Sequence, residues 1–194
     1  MSDATGAPRR AVLDSDVIYS RVLHELIGRL AHQERLLTLI WSEELLSEAR
    51  RTLISRKQVS GAAAERWVGY LREAFPDQCI DISRMSPKID LAMLTSDPDD
   101  HHVCALAIAG HADLLLSGDR GYLRDGLAEH GVEVITPGAY LGTALHDDPE
   151  AVIGALQSQA AAWGGGRPIE ELLDAIERAG ASTFASEARR SLED

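Results

Sequence analysis

The sequence predicts an α/β protein, a three-layer α/β/α arrangement around a central parallel sheet, with a helical appendage at the C-terminus. Three observations carry this. Between residues 10 and 135, short apolar runs of strand length alternate with longer segments of helical periodicity. The run ADLLLS at 112–117 is nearly all apolar, as in a strand buried on both faces of a parallel sheet. Beyond Pro137 the strands stop and only helical patterns follow. The expected division is an α/β body over 1–145 and a helical extension over 146–194.

Taken in order, residues 10–14 read as a short buried strand ending at Asp14. Val17, Ile18, Val22, Leu23, Leu26, Ile27 and Leu30 then recur at helical spacing, which predicts one helix over 17–31. TLIW at 38–41 is a second strand. Ser42 caps the next helix, with Glu43 and Glu44 in its first turn and Leu45, Leu46, Ala49 and Leu53 on its buried face. A helix over 60–75 stops at Pro76. Residues 78–82 are a third strand candidate, and 83–96 read as a loop or short helix. An acidic run at 97–100 starts a helix that ends at Gly110. The strand at 112–117, a short helix over 121–130 and a last strand at 132–135 complete the alternation. Residues 148–163 and 168–191 predict two or three helices joined at Gly164, Gly165 and Gly166.

Composition narrows the function classes. The chain has 194 residues, 45% hydrophobic and 26% charged, which suits a soluble globular protein. No apolar run reaches the roughly 18 residues of a membrane span, and the polar N-terminus lacks a signal peptide's apolar stretch, so a cytoplasmic location is expected. The net charge of −12 argues against indiscriminate binding to polyphosphate. There are only two lysines, Lys57 and Lys88, which limits mechanisms that need a catalytic lysine. Cys79 and Cys104 have no CxxC spacing and read as small core residues. Trp67, Tyr70 and Leu71 read as helix core rather than a base-stacking platform. His101 and His102 point about 100° apart on a helix and read as surface residues. No phosphate-binding glycine loop is present.

The chemistry concentrates in carboxylates. Ligands of open parallel sheets sit beyond the carboxyl ends of the strands. Asp14 ends the first strand, Asp119 follows the fourth, and Asp100 stands at the start of the helix between them. Glu48 lies about one and a half turns into the helix after the second strand. Acids sharing one crevice need protons or a cation, and an all-oxygen set selects Mg²⁺ or Mn²⁺. The plainer reading makes Asp97 and Asp99 helix caps and Glu48 a solvated helix residue.

The segments VLDSDV at 12–17, SEELLSEARRTL at 42–53, DPDDHHVCALAIAGHADLLLSGD at 97–119 and VEVITPGAYL at 132–141 resemble the PIN domain, most closely the VapC-type toxin ribonucleases of bacterial toxin–antitoxin pairs. The resemblance covers about residues 10–142 and implies an endoribonuclease dependent on Mg²⁺ or Mn²⁺. It places the family's four acids on Asp14, Glu48, Asp100 and Asp119, an orienting hydroxyl on Ser117 and a neighbouring acid on Asp97. Where the family usually has Asn, this chain has Asp16. Arg50, Arg51, Arg56 and Arg120 become candidate contacts to the RNA backbone. The resemblance also implies a cognate antitoxin that covers the acids, and a homodimer. Two other readings compete. LDSDV at 13–17 imitates the opening DxD of a haloacid dehalogenase-like phosphatase, with Asp14 as nucleophile. The fold could also serve as a binding module with an idle site.

Overall fold

The computed structural model describes residues 7–84 and 88–193. The first six residues of the polar N-terminus, and residues 85–87 of the segment read as a loop or short helix, lie outside the described residues. Four parallel strands form the sheet, β1 (Arg9–Leu13), β2 (Leu37–Ile40), β3 (Leu114–Leu116) and β4 (Glu133–Ile135), in the order β2-β1-β3-β4. Val12 pairs with Ile40 on one side and Leu115 on the other, which fixes the register of the two inner strands. All three β3 residues are buried, as expected of a strand covered on both faces. Chain order reverses between β1 and β3, so the carboxyl ends of these two strands flank a topological switch point.

Two helices follow β1, α1 (Ser15–Ile18) and α2 (Arg21–His32), where the sequence predicts one. The break has a visible cause: the Trp67 indole N–H donates to the Ile18 carbonyl at 2.8 Å, occupying an acceptor that a continuous helix would use itself. α2 then buries Leu23, Leu26, Ile27 and Leu30 at the spacing of an amphipathic helix. α3 (Glu43–Lys57) starts at Ser42, whose side chain accepts from the Leu45 amide, and α4 (Gly61–Ala74) packs against it. The expected third strand at 78–82 shrinks to a single parallel bridge between Trp41 and Cys79. Short 3-10 turns at Pro76–Gln78 and Ile82–Arg84 flank the bridge, and Pro76 has no amide hydrogen to extend a ladder. Cys79 is exposed rather than core, whereas Cys104 is buried, and both thiols are free.

α5 (His101–Ala109) follows a 3-10 turn at Pro98–Asp100 and packs on β1. α6 (Arg124–Ala128) packs on β4, and α2 packs on β2, which completes the three-layer α/β/α arrangement. The remaining helices are α7 (Pro137–Asp147), α8 (Pro149–Ala162), α9 (Ile169–Arg178) and α10 (Ser182–Glu193). Thr136 and Asp148 cap α7 and α8, each with a proline at the first helical position. α8 and α9 pack on α2, and α10 packs on α7, so Val152, Leu156, Leu172 and Phe184 share one hydrophobic cluster with the sheet. No helix among the described residues is long and apolar enough to cross a membrane.

Candidate active site

Asp14 emerges one residue past β1 and is only 4% exposed. Its carboxylate accepts from the Ser15 amide at 2.6 Å, which makes it the N-cap of α1, and from the Ser117 hydroxyl at 2.6 Å. The Ser117 hydroxyl also accepts from the Asp119 amide at 2.9 Å, so one oxygen ties the ends of the two central strands together. Asp119 folds back to accept from the Gly121 amide at 2.6 Å. Burial raises the Asp14 carboxyl above its ordinary range, against the lowering effect of Ser117 and Ser15.

Asp16 accepts from the Gly118 amide at 2.9 Å, while its other carboxylate oxygen is buried with no hydrogen-bond partner among the described residues. Burial and the charge of Asp14 push it up to about 6. A side chain at position 118 would stand 2.9 Å from the Asp16 oxygen, so the glycine permits the close approach. Asp100, at the start of α5, is pushed up to about 7 by burial and then by the charges of Asp14, Asp97, Asp119 and Glu48. The four acids named from sequence therefore act on one another across a single crevice at the switch point. Asp97 sits beside them, exposed, and caps the 3-10 turn by accepting from the Asp99 amide at 2.9 Å.

Glu48 reaches the crevice from α3. Its carboxylate accepts from the Ser15 hydroxyl at 3.3 Å and lies 3.1 Å from Nε2 of His102. The His102 Nδ1 stands 2.8 Å from the Asp99 carbonyl oxygen. Two oxygen acceptors facing both ring nitrogens favour the imidazolium. Burial opposes that charge, but Glu48, the Asp99 carbonyl and Asp100 outweigh it and raise the ring above its ordinary value. Glu48 is held below its ordinary value in return, chiefly by His102. The surface reading of His102 is thus corrected: it is half-buried and belongs to the site. Its signal in sequence was its place three residues after Asp99, one helical turn on. Tyr122 was also missed. It is buried beside Asp14, its hydroxyl is raised by that burial, and it makes no hydrogen bond of ordinary geometry among the described residues.

A scan against protein-family models matches the PIN domain over residues 10–121, which span β1 to the turn after β3. The chain belongs to the PIN domain family. Searches of curated proteins and of solved structures returned no match. PIN domains are typically nucleases, and PIN nucleases generally use divalent metals. The donor set here fits such an ion: all oxygen, with Asp14, Asp16, Asp100 and Asp119 forming no ion pair with a basic side chain among the described residues, and one Asp16 oxygen orphaned. Among the described residues, though, no three acids, histidines or cysteines stand close enough together to grip an ion as they are. Holding one requires side-chain movement.

The four arginines named from sequence are spread out in this PIN domain. Arg50 is tied to Glu65 at 2.9 Å. Arg51 and Arg56 are exposed and line a groove with Glu48, Asp99 and His102. Arg120 is exposed on the turn after Asp119. Trp67 and Leu71 pack inward as expected, but Tyr70 is 64% exposed and is not core.

Proposed function

We propose that this chain is a metal-dependent endoribonuclease and the toxin of a type II toxin–antitoxin pair, working in the cytoplasm. The observation that carries the reading is the cluster of Asp14, Asp16 and Asp100 at the β1/β3 switch point of a PIN domain, raised chiefly by burial and then by neighbouring carboxylates, and without an ion pair to a basic side chain among the described residues.

Asp14, Asp100 and Asp119 would hold Mg²⁺ or Mn²⁺, with Glu48 holding the ion or its water and Asp16 and Asp97 adding charge nearby. A bound ion supplies a water of lowered pKa, orients the phosphodiester and neutralises charge in the transition state. The chain's own residues do the positioning. Ser117 sets the rotamer of Asp14 and the backbone of Asp119 with one hydroxyl. His102 keeps Glu48 ionised and turned toward Ser15. Tyr122 keeps bulk water from the inner side of Asp14.

The test is cleavage of RNA by the full chain with Mn²⁺ or Mg²⁺ and with chelator. Asp14→Asn and Asp100→Asn should keep the fold and lower cleavage by roughly a hundredfold or more. Full activity in either variant sinks the site. In cells, expression should arrest growth unless an adjacent antitoxin is supplied, and unimpaired growth counts against the toxin role. A homodimer, expected of such a toxin, is checked by light scattering.

One observation favours the idle-module reading: a Glu48 carboxylate oxygen lies 3.1 Å from Nε2 of His102, and among the described residues no three acids, histidines or cysteines form a group that could hold an ion. Calorimetric titration separates the two. Absence of binding at millimolar Mg²⁺ or Mn²⁺ favours the idle module.

A further inference from the structure

We propose that a groove leading from Asp16 to Tyr70 is a track for single-stranded RNA, gripped by Arg21, Arg66 and Arg178 and stacked on Tyr70; this rests on the RNA-cleaving reading above. Two grooves compose it. The first, about 600 Å³, runs from Asp16 past Arg21 and Trp67 to Arg178 on α9. The second, about 610 Å³, lies between α2 and α4 and continues past Arg66 to Tyr70. Both are lined by Arg21 and Trp67, so they meet there.

The charges along this path are unusual for a chain of net charge −12. The joined grooves carry Arg21, Arg29, Arg66 and Arg178 against two acids, Asp16 and Glu25. Arg29 is neutralised by Glu25 at 2.9 Å, and Arg21 approaches the same acid only to 4.0 Å with 63% of its side chain exposed. Arg66 and Arg178 are exposed and form no ion pair among the described residues. A separate groove, which borders the site at Glu48 and His102, carries Glu43, Glu44, Glu48 and Asp99 against Arg51, Arg56 and His102. A polyanion leaving the acids is drawn along the first path and repelled by the second.

Tyr70 offers a stacking surface on this path. Its ring is 64% exposed on a helix whose Val68 and Leu71 are buried, so the fold gains little from it. An exposed aromatic beside Arg66, which forms no ion pair among the described residues, is an arrangement that binds unpaired bases and the phosphates between them. A duplex hides its bases from such a ring, which selects a single strand. Arg178 lies in α9, outside the PIN match, so the track also gives the C-terminal helices a part in substrate binding.

The experiment titrates a fluorescein-labelled, unstructured single-stranded RNA of mixed sequence with the full chain. Anisotropy is read in chelator, so that cleavage is off, at several salt concentrations. Tyr70→Ala should weaken binding about tenfold. Arg66→Gln with Arg178→Gln should weaken it and flatten the log–log salt slope by roughly 0.7 per arginine. Unchanged affinity and slope in these variants, alongside RNA cleavage by the wild type in Mn²⁺, overturns the track and leaves the nuclease reading standing. If the variants bind RNA normally but lose a dimer seen by light scattering, the groove is a protein contact and the track is overturned. If the wild type neither binds nor cuts RNA, the nuclease reading fails and the track with it.

Discussion

The Ser117 hydroxyl donates to Asp14 and accepts from the Asp119 amide while only 2% exposed. Ser117→Ala leaves a buried carboxylate and a backbone donor short of a partner. It should destabilise the chain by about 1–3 kcal/mol in denaturant melts. Ser117→Thr keeps the hydroxyl and should restore most of that; equal loss in both variants would point to crowding instead. This residue was named in sequence only through the resemblance to the PIN domain. His24 was not readable. It is buried on α2, where the Trp67 indole N–H approaches its Nδ1 at 3.1 Å, so the fold wants a lone pair there. Burial drives the ring down to about 4 from an ordinary value near 6.5. The neutral ring is the native one, so its contribution is present above about pH 6.5 and is lost as pH falls through about 4. The loss reaches about 3 kcal/mol. Thermal melts from pH 7 to pH 4 should show it, and His24→Gln should flatten that slope. A helical pattern shows that a position faces inward; it does not show which proton state the neighbours there impose.

Elements were legible where burial followed a period, and misread where a side chain from elsewhere competed for the backbone. The spacing in residues 17–31 promised one helix, and an indole 49 residues away ended α1 at Ile18. Residues 78–82 had the composition of a strand, but only Cys79 finds a rung: the Trp41 amide donates to the Gln78 carbonyl and the Ile80 amide to the Trp41 carbonyl, and the 3-10 turns on either side end the ladder there. Asp14, Asp100 and Asp119 could be assigned to strand ends and a helix start from sequence, whereas Glu48 rested on the resemblance and His102 joined them only through the way α5 faces α3. The C-terminal helices make the sharpest element-scale prediction. Phe184 on α10 is fully buried among residues that connect through α7 and α8 to the sheet. Phe184→Ala should cost about 3–5 kcal/mol and lower a single cooperative transition. Two separate transitions, with only the weaker one moved, would show that the tail folds independently of the PIN domain.

At the scale of the molecule, a chain of net charge −12 gathers several carboxylates in one crevice, and among the described residues only Glu48 has a basic side chain, His102, beside it. Asp14, Asp16 and Asp100 all sit above their ordinary value, the last two at about 6 and about 7, chiefly through burial. The native state therefore binds protons that the unfolded chain, titrating near 4, has already released. Stability from these groups is largest at low pH and is lost as pH rises from about 4 through 7, opposite to the trend set by His24. A divalent cation replaces those protons, so its stabilising effect must grow over the same window. At a hundred times its dissociation constant it contributes about 2.7 kcal/mol, or roughly 5–10 °C for a chain of this size. Melting curves with and without Mn²⁺ should diverge at pH 8 and nearly coincide at pH 5. Asp16→Asn with Asp100→Asn should raise the melting temperature of the metal-free chain at pH 8 and abolish its response to Mn²⁺. A Mn²⁺ gain equal at both pH values, or one that survives the double substitution, would place the ion away from these acids and remove the physical basis of the proposed cleavage site.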